Sequence, residues 1–392
     1  MSWLIAHYGQ EQMRPGLSRM RRGLSSLLPE FKNTKIITIA GTNGKGETTL
    51  RLSQLLKHHS HFAWTSPHIE RINERFRNEE GEIQDQELLE LIELCHQRVL
   101  DEKFELSFYE FLFLVFCTWA AKKPPEFLLL EVGLGGRLDA VNVFDADLIL
   151  LPSISRDHQE VLGRRYEQIL AEKLGLLRAK STLISFLDLK YLREKARVIV
   201  ESNQCSMIDL QAMMDIPAYE FSQRNQLLAC AAYLKLQGKE LTPKELLESK
   251  TQSESLLHRG EVWRDGGEWI FFGSHNVDGM RKLIQFLHSH NYNFSRPPFD
   301  AVIMAFSKRD QADLRVMLKM MKGAKLGKVI VTTFPHPKAA DKDLMESLSF
   351  QEGLEFANDI RSYCERNSRQ NILFTGSYYF IGHIQSSFRR SE

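Results

Sequence analysis

"KIITIAGTNGKGETT", residues 35 to 49, decides the fold. An apolar run, "KIITIAG" at 35 to 41, meets a glycine-rich turn carrying one lysine. The helical stretch "GETTLRLSQLLKHH" follows. Strand, glycine turn and helix in that order are what a phosphate loop requires: backbone amides and a helix N-terminus converge on an anion, and a lysine adds a mobile positive charge. Thr42, Asn43, Gly44, Lys45 and Gly46 are the candidate phosphate contacts, and Gly41, Gly44 and Gly46 let the backbone come close. The ending is unusual. A common nucleotide loop places Ser or Thr after its lysine to help hold magnesium, whereas here Gly46 and Glu47 follow Lys45. The metal must be held by other residues.

Farther along the chain, "EFLLLEVG" at 126 to 133, "ADLILLPS" at 146 to 153 and "STLISF" at 181 to 186 are apolar on consecutive positions. That pattern predicts strands buried on both faces, hence a parallel sheet covered by helices. Residues 219 to 250 read as helix, loop, helix, with a helical stripe in "QLLACAAYLKLQG". After the polar "ESKTQSES", strand-like runs resume at 268 to 273, 300 to 305, 327 to 333 and 371 to 377. The predicted class is α/β: a P-loop domain with a mostly parallel sheet over residues 1–255, then a smaller Rossmann-like α/β domain over 256–392.

Composition narrows the function. In 392 residues, 51 basic and 50 acidic side chains give a formal net charge of +1. No strong field favours nucleic acid or an anionic membrane, so the expected partner is a small molecule. A hydrophobic share of 43% with 26% charged residues is globular. The beginning "MSWLIAHYGQEQMRPGL" lacks the apolar stretch of a signal peptide, and no run approaches a membrane span, so a cytoplasmic location is expected. Five scattered cysteines suggest neither a disulfide framework nor a zinc site.

Three further stretches place a polar group after an apolar run: Ser66 in "WTSPHIERINERFR", Glu131 in "LLLEVGLGGRLDA", and Asp157 with His158 in "LLPSISRDHQEVLG". Ligands of open parallel sheets lie outside the carboxyl ends of the strands, so these groups could gather over the loop. Taken singly, each also reads as a helix cap, a satisfied core carboxylate or a structural histidine.

Together with "GTNGKGETT", "AEKLGLLR", "HRGE", "GSHN" and "FTGSYYFIG", these stretches resemble the folylpolyglutamate synthase and dihydrofolate synthase family of the Mur ligase superfamily, in order and approximate spacing. The resemblance implies a Mur-ligase-like fold and ATP-dependent joining of L-glutamate to dihydropteroate or a folate through an acyl phosphate. It implies two magnesium ions, one held by Ser66, Glu131 and His158 and a second near a carbamate on Lys173, the lysine of "AEKLG". It places the pterin-bearing substrate against Ser107, Phe108, Tyr109 and Glu110, then Leu138, Asp139 and Ala140. It completes the ATP site with Asn225, Arg259 and His275, gives catalytic roles to Lys45, His158 and Lys173, and suggests a monomer.

Departures cluster on the nucleotide side. Phe272 stands where similar proteins carry an aspartate, Val277 replaces a proline, and Gly260 replaces a larger residue. Glu47 sits at the positive end of a helix but would repel phosphate oxygens, so it is expected to turn outward. These changes keep two alternatives open: a homologue retained as a nucleotide- or folate-binding module, and a ligase for cell-wall amino acids.

Overall fold

In the computed structural model the described residues are 4, 7–9, 15–214, 216–217, 220–249, 259–264, 267–289 and 297–388. They form two compact units, one of Met1–Pro217 with Phe221–Thr251 and one of Ala218–Glu220 with Gln252–Glu392.

The first unit is built on eight strands: β1 Lys35–Ile39, β2 His61–Trp64, β3 Phe76–Asn78, β4 Gly81–Glu82, β5 Phe127–Glu131, β6 Leu148–Leu151, β7 Thr182–Ser185 and β8 Ser206–Asp209. Their order across the sheet is β4-β3-β2-β5-β1-β6-β7-β8. From β2 to β8 all neighbours are parallel, while β3 and β4 add an antiparallel hairpin at one edge. Consecutive apolar residues were the expected signature, and packing shows why. Leu128 and Leu130 of β5 enter one core cluster, and Phe127 and Leu129 enter another on the opposite face. Each fully buried leucine contributes roughly 1.5–3 kcal/mol relative to exposure.

Helices seal both faces. One face carries α2, Phe108–Ala121, apolar nearly all round because it lies inside the first cluster. The other carries α1, Lys45–Leu55, and α4, Phe221–Leu236, whose Leu52, Leu227, Leu228 and Ala231 share the second cluster. Helix α3, Tyr166–Leu174, leads from the loops after β6. Among the described residues no helix is long and apolar enough to cross a membrane.

The second unit has six strands: β9 Arg259–Arg264, β10 Glu268–Phe272, β11 Ala301–Ala305, β12 Lys328–Thr332, β13 Glu355–Ala357 and β14 Ile372–Gly376. Their order is β13-β12-β11-β14-β10-β9, parallel except for the β9–β10 pair. Again alternate residues of a strand enter different clusters: Val302 and Met304 face one, Ala301, Ile303 and Ala305 the other.

The expected strands at 35, 126, 146 and 181, and all four of the second unit, lie where the apolar runs predicted. β2, the β3–β4 hairpin, β8, β9 and β13 were not expected. β3, β4 and β13 are only two or three residues long, and β8 is partly exposed, too little for a patterned run.

One close approach ties β5 to α3. A β-carbon on Gly136 would lie 2.9 Å from the Glu172 carbonyl oxygen and 3.0 Å from Lys173 Cα, both backbone atoms. Gly136→Ala is therefore expected to cost about 1–3 kcal/mol, read by urea denaturation; a loss below about 0.5 kcal/mol, the range of neutral surface changes, would contradict this packing.

Candidate functional site

Chain order reverses about β1, which lies between β5 and β6. The segments leaving β2, β5, β1 and β6 therefore emerge side by side at the carboxyl edge, where open α/β sheets bind ligands.

The phosphate loop leaves β1 and is pinned to the segment after β6. Thr42 N donates to the Ser153 carbonyl at 3.0 Å, and Thr42 Oγ1 donates to the Ser155 carbonyl at 3.0 Å. Asn43 N donates to Ser153 Oγ at 2.9 Å. Gly44, at φ +90°, turns the chain into α1 in a left-handed conformation that suits glycine. Ser153 and Ser155 escaped the sequence reading, although their spacing of two in "PSIS" puts both on one side of an extended segment.

Two lysines share one acceptor beneath this loop. Lys45 Nζ donates to the Gly41 carbonyl at 3.1 Å, and Lys173 Nζ, from α3, donates to the same oxygen at 3.0 Å. Lys173 is only 3% exposed. Burial pushes its ammonium down to about 7, the charge of Lys45 pushes the same way, and Asp157 and Asp139 partly oppose them. Nothing in the local sequence "AEKLG" requires this burial, which the fold imposes. The long side chain is enclosed because Gly136 lets α3 come against the β5 loop.

Ser66 and Glu131 are brought together. Ser66 N donates to Glu131 Oε2 at 3.0 Å, and the Ser66–Pro67 peptide is cis. The Ser66 hydroxyl oxygen is buried and has no hydrogen-bond partner. A hydroxyl and a carboxylate, both hard oxygen donors, suit a divalent cation of the magnesium type, and an orphaned buried hydroxyl is what a missing ligand would satisfy. His158 does not join them in the same way. It opens a short helix at φ +49°, its side chain is 52% exposed, and Nδ1 lies 3.7 Å from Glu160 Oε1. Among the described residues no group of three or more His, Cys, Asp and Glu side chains is gathered closely enough to hold a metal.

Beside Glu131, a polar cluster joins the expected substrate residues. Tyr109 Oη donates to Asp139 Oδ1 at 3.1 Å and accepts from Gly133 N at 3.1 Å and Trp64 Nε1 at 3.3 Å. Asp139 also accepts from Leu134 N and Val141 N. Burial pushes its carboxyl up to about 6, although these hydrogen bonds hold it lower, and burial raises the Tyr109 phenol well above its ordinary range. Ser107 and Glu110 are occupied locally: they form the capping box of α2, and Glu110 pairs with Arg19 at 2.9 Å. Phe108 and Ala140 lie in the core, and Leu138 is half-buried.

Glu47 corrects an expectation. It does not turn outward but inward, 6% exposed, accepting from Arg51 Nη2 at 2.8 Å and from Asn225 Nδ2 at 2.8 Å. With Arg51 Nε and Ser222 Oγ, four donors replace the water a carboxylate would need, so its charge is neutralised away from the loop. Asn225 thus lies in the first unit against the loop. In the second unit, His275 Nε2 is 3.4 Å from Asn276 Nδ2 and its ring centre is 5.4 Å from that of Tyr378. The Arg259 side chain lies outside what the structure describes, only its backbone being placed, in β9. Phe272 packs with Phe286, ring centres 5.8 Å apart, so an apolar contact stands where a polar one was missed, and Val277 simply starts a helix.

No family model matches the chain. It is 24% identical over 418 residues to a dihydrofolate synthase/folylpolyglutamate synthase of Bacillus subtilis, covering 96% of each chain. It is 36% identical over 155 residues to the Escherichia coli protein of that name, 38% of this chain and 35% of that one. Among solved structures, a Mycobacterium tuberculosis folylpolyglutamate synthase complexed with ADP superposes with a TM-score of 0.82 at 21% identity, covering 100% of this chain and 97% of that one. A Yersinia pestis bifunctional folylpolyglutamate synthase/dihydrofolate synthase complexed with AMPPNP and manganese gives 0.79 at 21%, covering 98% and 97%. The two-unit α/β fold is thus shared with these solved structures. In sequence, too, the chain is similar over nearly its whole length to a dihydrofolate synthase/folylpolyglutamate synthase.

The depressed Lys173 gives a pH signature. An unfolded lysine titrates near 10.5 and the folded one near 7. Between those values the unfolded state binds more protons, so stability rises with pH; the penalty is complete below about 7 and relieved towards 10. In carbonate-free buffer, Lys173→Met is expected to be more stable than the parent at pH 6 by about 1–3 kcal/mol. The difference should shrink as pH rises to 10, and a pH-independent difference in denaturation midpoint would contradict the buried, depressed amine.

Proposed function

We propose that the chain joins the amino group of L-glutamate to the carboxylate of dihydropteroate, of reduced folates, or of both, with ATP consumed and magnesium as the divalent ion. The observation that carries this reading is the buried, partnerless Ser66 hydroxyl held beside Glu131 at the edge of the phosphate loop.

A carboxylate is a poor electrophile, so one of its oxygens first attacks the γ-phosphorus of ATP. The bond from that phosphorus to the β-bridging oxygen breaks, leaving an acyl phosphate and ADP. The glutamate nitrogen then attacks the acyl carbon, and the amide forms with loss of inorganic phosphate and one proton. Lys45 and the loop amides neutralise charge on the transferring group, where electrostatic positioning supplies most of the acceleration in phosphoryl transfer. Ser66 and Glu131 would hold the divalent ion, which supplies Lewis-acid stabilisation of the phosphate oxygens. Tyr109, fixed by its hydrogen bond to Asp139 and lying next to Trp64, offers an aromatic surface suited to a flat heteroaromatic ring.

Lys173 carries a second element of the proposal. With its ammonium held near 7, about half the side chains are neutral amines at neutral pH. Such an amine can attack carbon dioxide, forming an N–C bond and releasing one proton. The resulting carbamate reverses the charge beside Lys45.

The inward Glu47 disfavours the alternative of a retired enzyme, since its charge is neutralised away from the phosphates. Purified protein with ATP and magnesium is expected to release ADP only when both L-glutamate and dihydropteroate or tetrahydrofolate are present, the product gaining one glutamate by mass spectrometry. Absence of glutamate-dependent ADP with either acceptor would defeat the proposal. Lys45→Ala should lower kcat by about 100-fold or more. Ser66→Ala should raise the magnesium concentration for half-maximal rate by about tenfold or more, and an unchanged requirement would remove Ser66 from the ion.

A further inference from the structure

Glu47, in the first turn of the helix that follows the phosphate loop, has no part in the proposed reaction. Its carboxylate is nevertheless the centre of a buried network. Oε1 accepts from Arg51 Nε at 2.9 Å, from Arg51 Nη2 at 2.8 Å and from Ser222 Oγ, and Oε2 accepts from Asn225 Nδ2 at 2.8 Å. Ser222 and Asn225 both stand on α4, so the network fastens that helix to the first turn of α1.

The last of these bonds has a directional consequence. An ionised carboxylate only accepts hydrogen bonds, so Asn225 must offer it the amino half of its amide. The carbonyl half is then forced the other way. Asn225 is 1% exposed, its Oδ1 has no hydrogen-bond partner, and a β-carbon on Gly44 would lie 2.5 Å from that oxygen. The fold therefore holds a buried acceptor, with its orientation fixed, against the turn of the phosphate loop. A buried acceptor left unsatisfied is costly, which makes a donor from a bound molecule its natural partner. Phosphates offer no donor at neutral pH. A nucleoside offers two kinds: the exocyclic amino group of its base and the hydroxyls of its ribose.

We propose that Glu47 is a positioning residue that locks the Asn225 carbonyl beside Gly44, so that the site selects nucleotides carrying a hydrogen-bond donor at that point. The inference rests on the nucleotide reading given above and extends it to a residue that replaces the usual loop hydroxyl. In Glu47→Gln the residue at 47 can donate as well as accept, so the Asn225 amide is free to turn, and the preference is lost.

The test is a binding cycle by calorimetry with ATP, ITP, 2′-deoxy-ATP and 3′-deoxy-ATP in magnesium buffer, on the full chain and on Glu47→Gln. The substitution is expected to weaken ATP by about tenfold and to have little effect on the one analogue that lacks the contacting donor. Escape of ITP assigns the 6-amino group, and escape of a deoxy analogue assigns that hydroxyl. At saturating ATP, kcat should stay within about threefold, because the lock acts on binding rather than on the transferring group. An equal loss for all four nucleotides, or no loss for any, overturns the lock and leaves Glu47 a structural ion pair. No ATP binding by the parent protein overturns the lock together with the nucleotide reading, and is recognised by the parent alone. Because Arg51 would lose its partner, Glu47→Gln/Arg51→Gln is measured beside the single variant; if only the double variant folds, the same pattern is required of it.

Discussion

A parallel sheet sealed on both faces leaves charge only one place to go. β1, β5 and β6 are buried along their whole described length apart from Lys35, and a charged side chain facing either core would face a large desolvation cost. Polar chemistry is therefore expelled to the ends of the strands. Strand order then decides which ends meet: because β1 lies between β5 and β6, and β2 lies beyond β5, segments far apart in sequence, after Ile39, Trp64, Glu131 and Leu151, emerge together. The loop, Ser66, Glu131, Tyr109 with Asp139, and Lys173 all belong to that edge or touch it.

At this edge the glycines act by what they leave out. Gly136 admits the backbone of the helix that carries Lys173, Gly133 admits the Tyr109 ring within 3.0 Å of where a β-carbon would stand, and Gly44 admits the Asn225 amide. Each absence of a side chain is a presence of some other group close to the loop. The two lysines sharing the Gly41 carbonyl illustrate the result. Two like charges at one oxygen raise the energy of the doubly charged state, and the more deeply buried amine is the one that gives up its proton more easily.

The second unit obeys the same sheet logic with different consequences. Its parallel strands alternate between two cores as in the first unit. Phe272 continues that apolar packing to the strand's end, so a position where the resemblance implied an aspartate becomes part of the core. The His275 and Tyr378 rings approach each other there, and Gly273 makes room, since a β-carbon on it would overlap the Tyr378 ring.

Much of this was legible in the sequence. The apolar runs at 35, 126, 146 and 181 marked the central strands because burial on two faces demands side chains that are apolar at every position, and the glycine turn with Lys45 marked the loop by its local chemistry. Short edge strands were not legible, since two to four residues carry too little pattern. Nor was the direction of Glu47: local electrostatics sent it outward, and only the arrival of Arg51, Ser222 and Asn225, the last two from 175 and 178 residues away, gave a buried carboxylate the donors it needs. The same holds for the depressed Lys173 and for the orphaned Ser66 hydroxyl. Sequence alone determined which residues could do chemistry, because type and local order fix that; tertiary structure decided which of them are desolvated and which face each other, because burial and proximity are set by strand order and helix packing, properties of the whole fold.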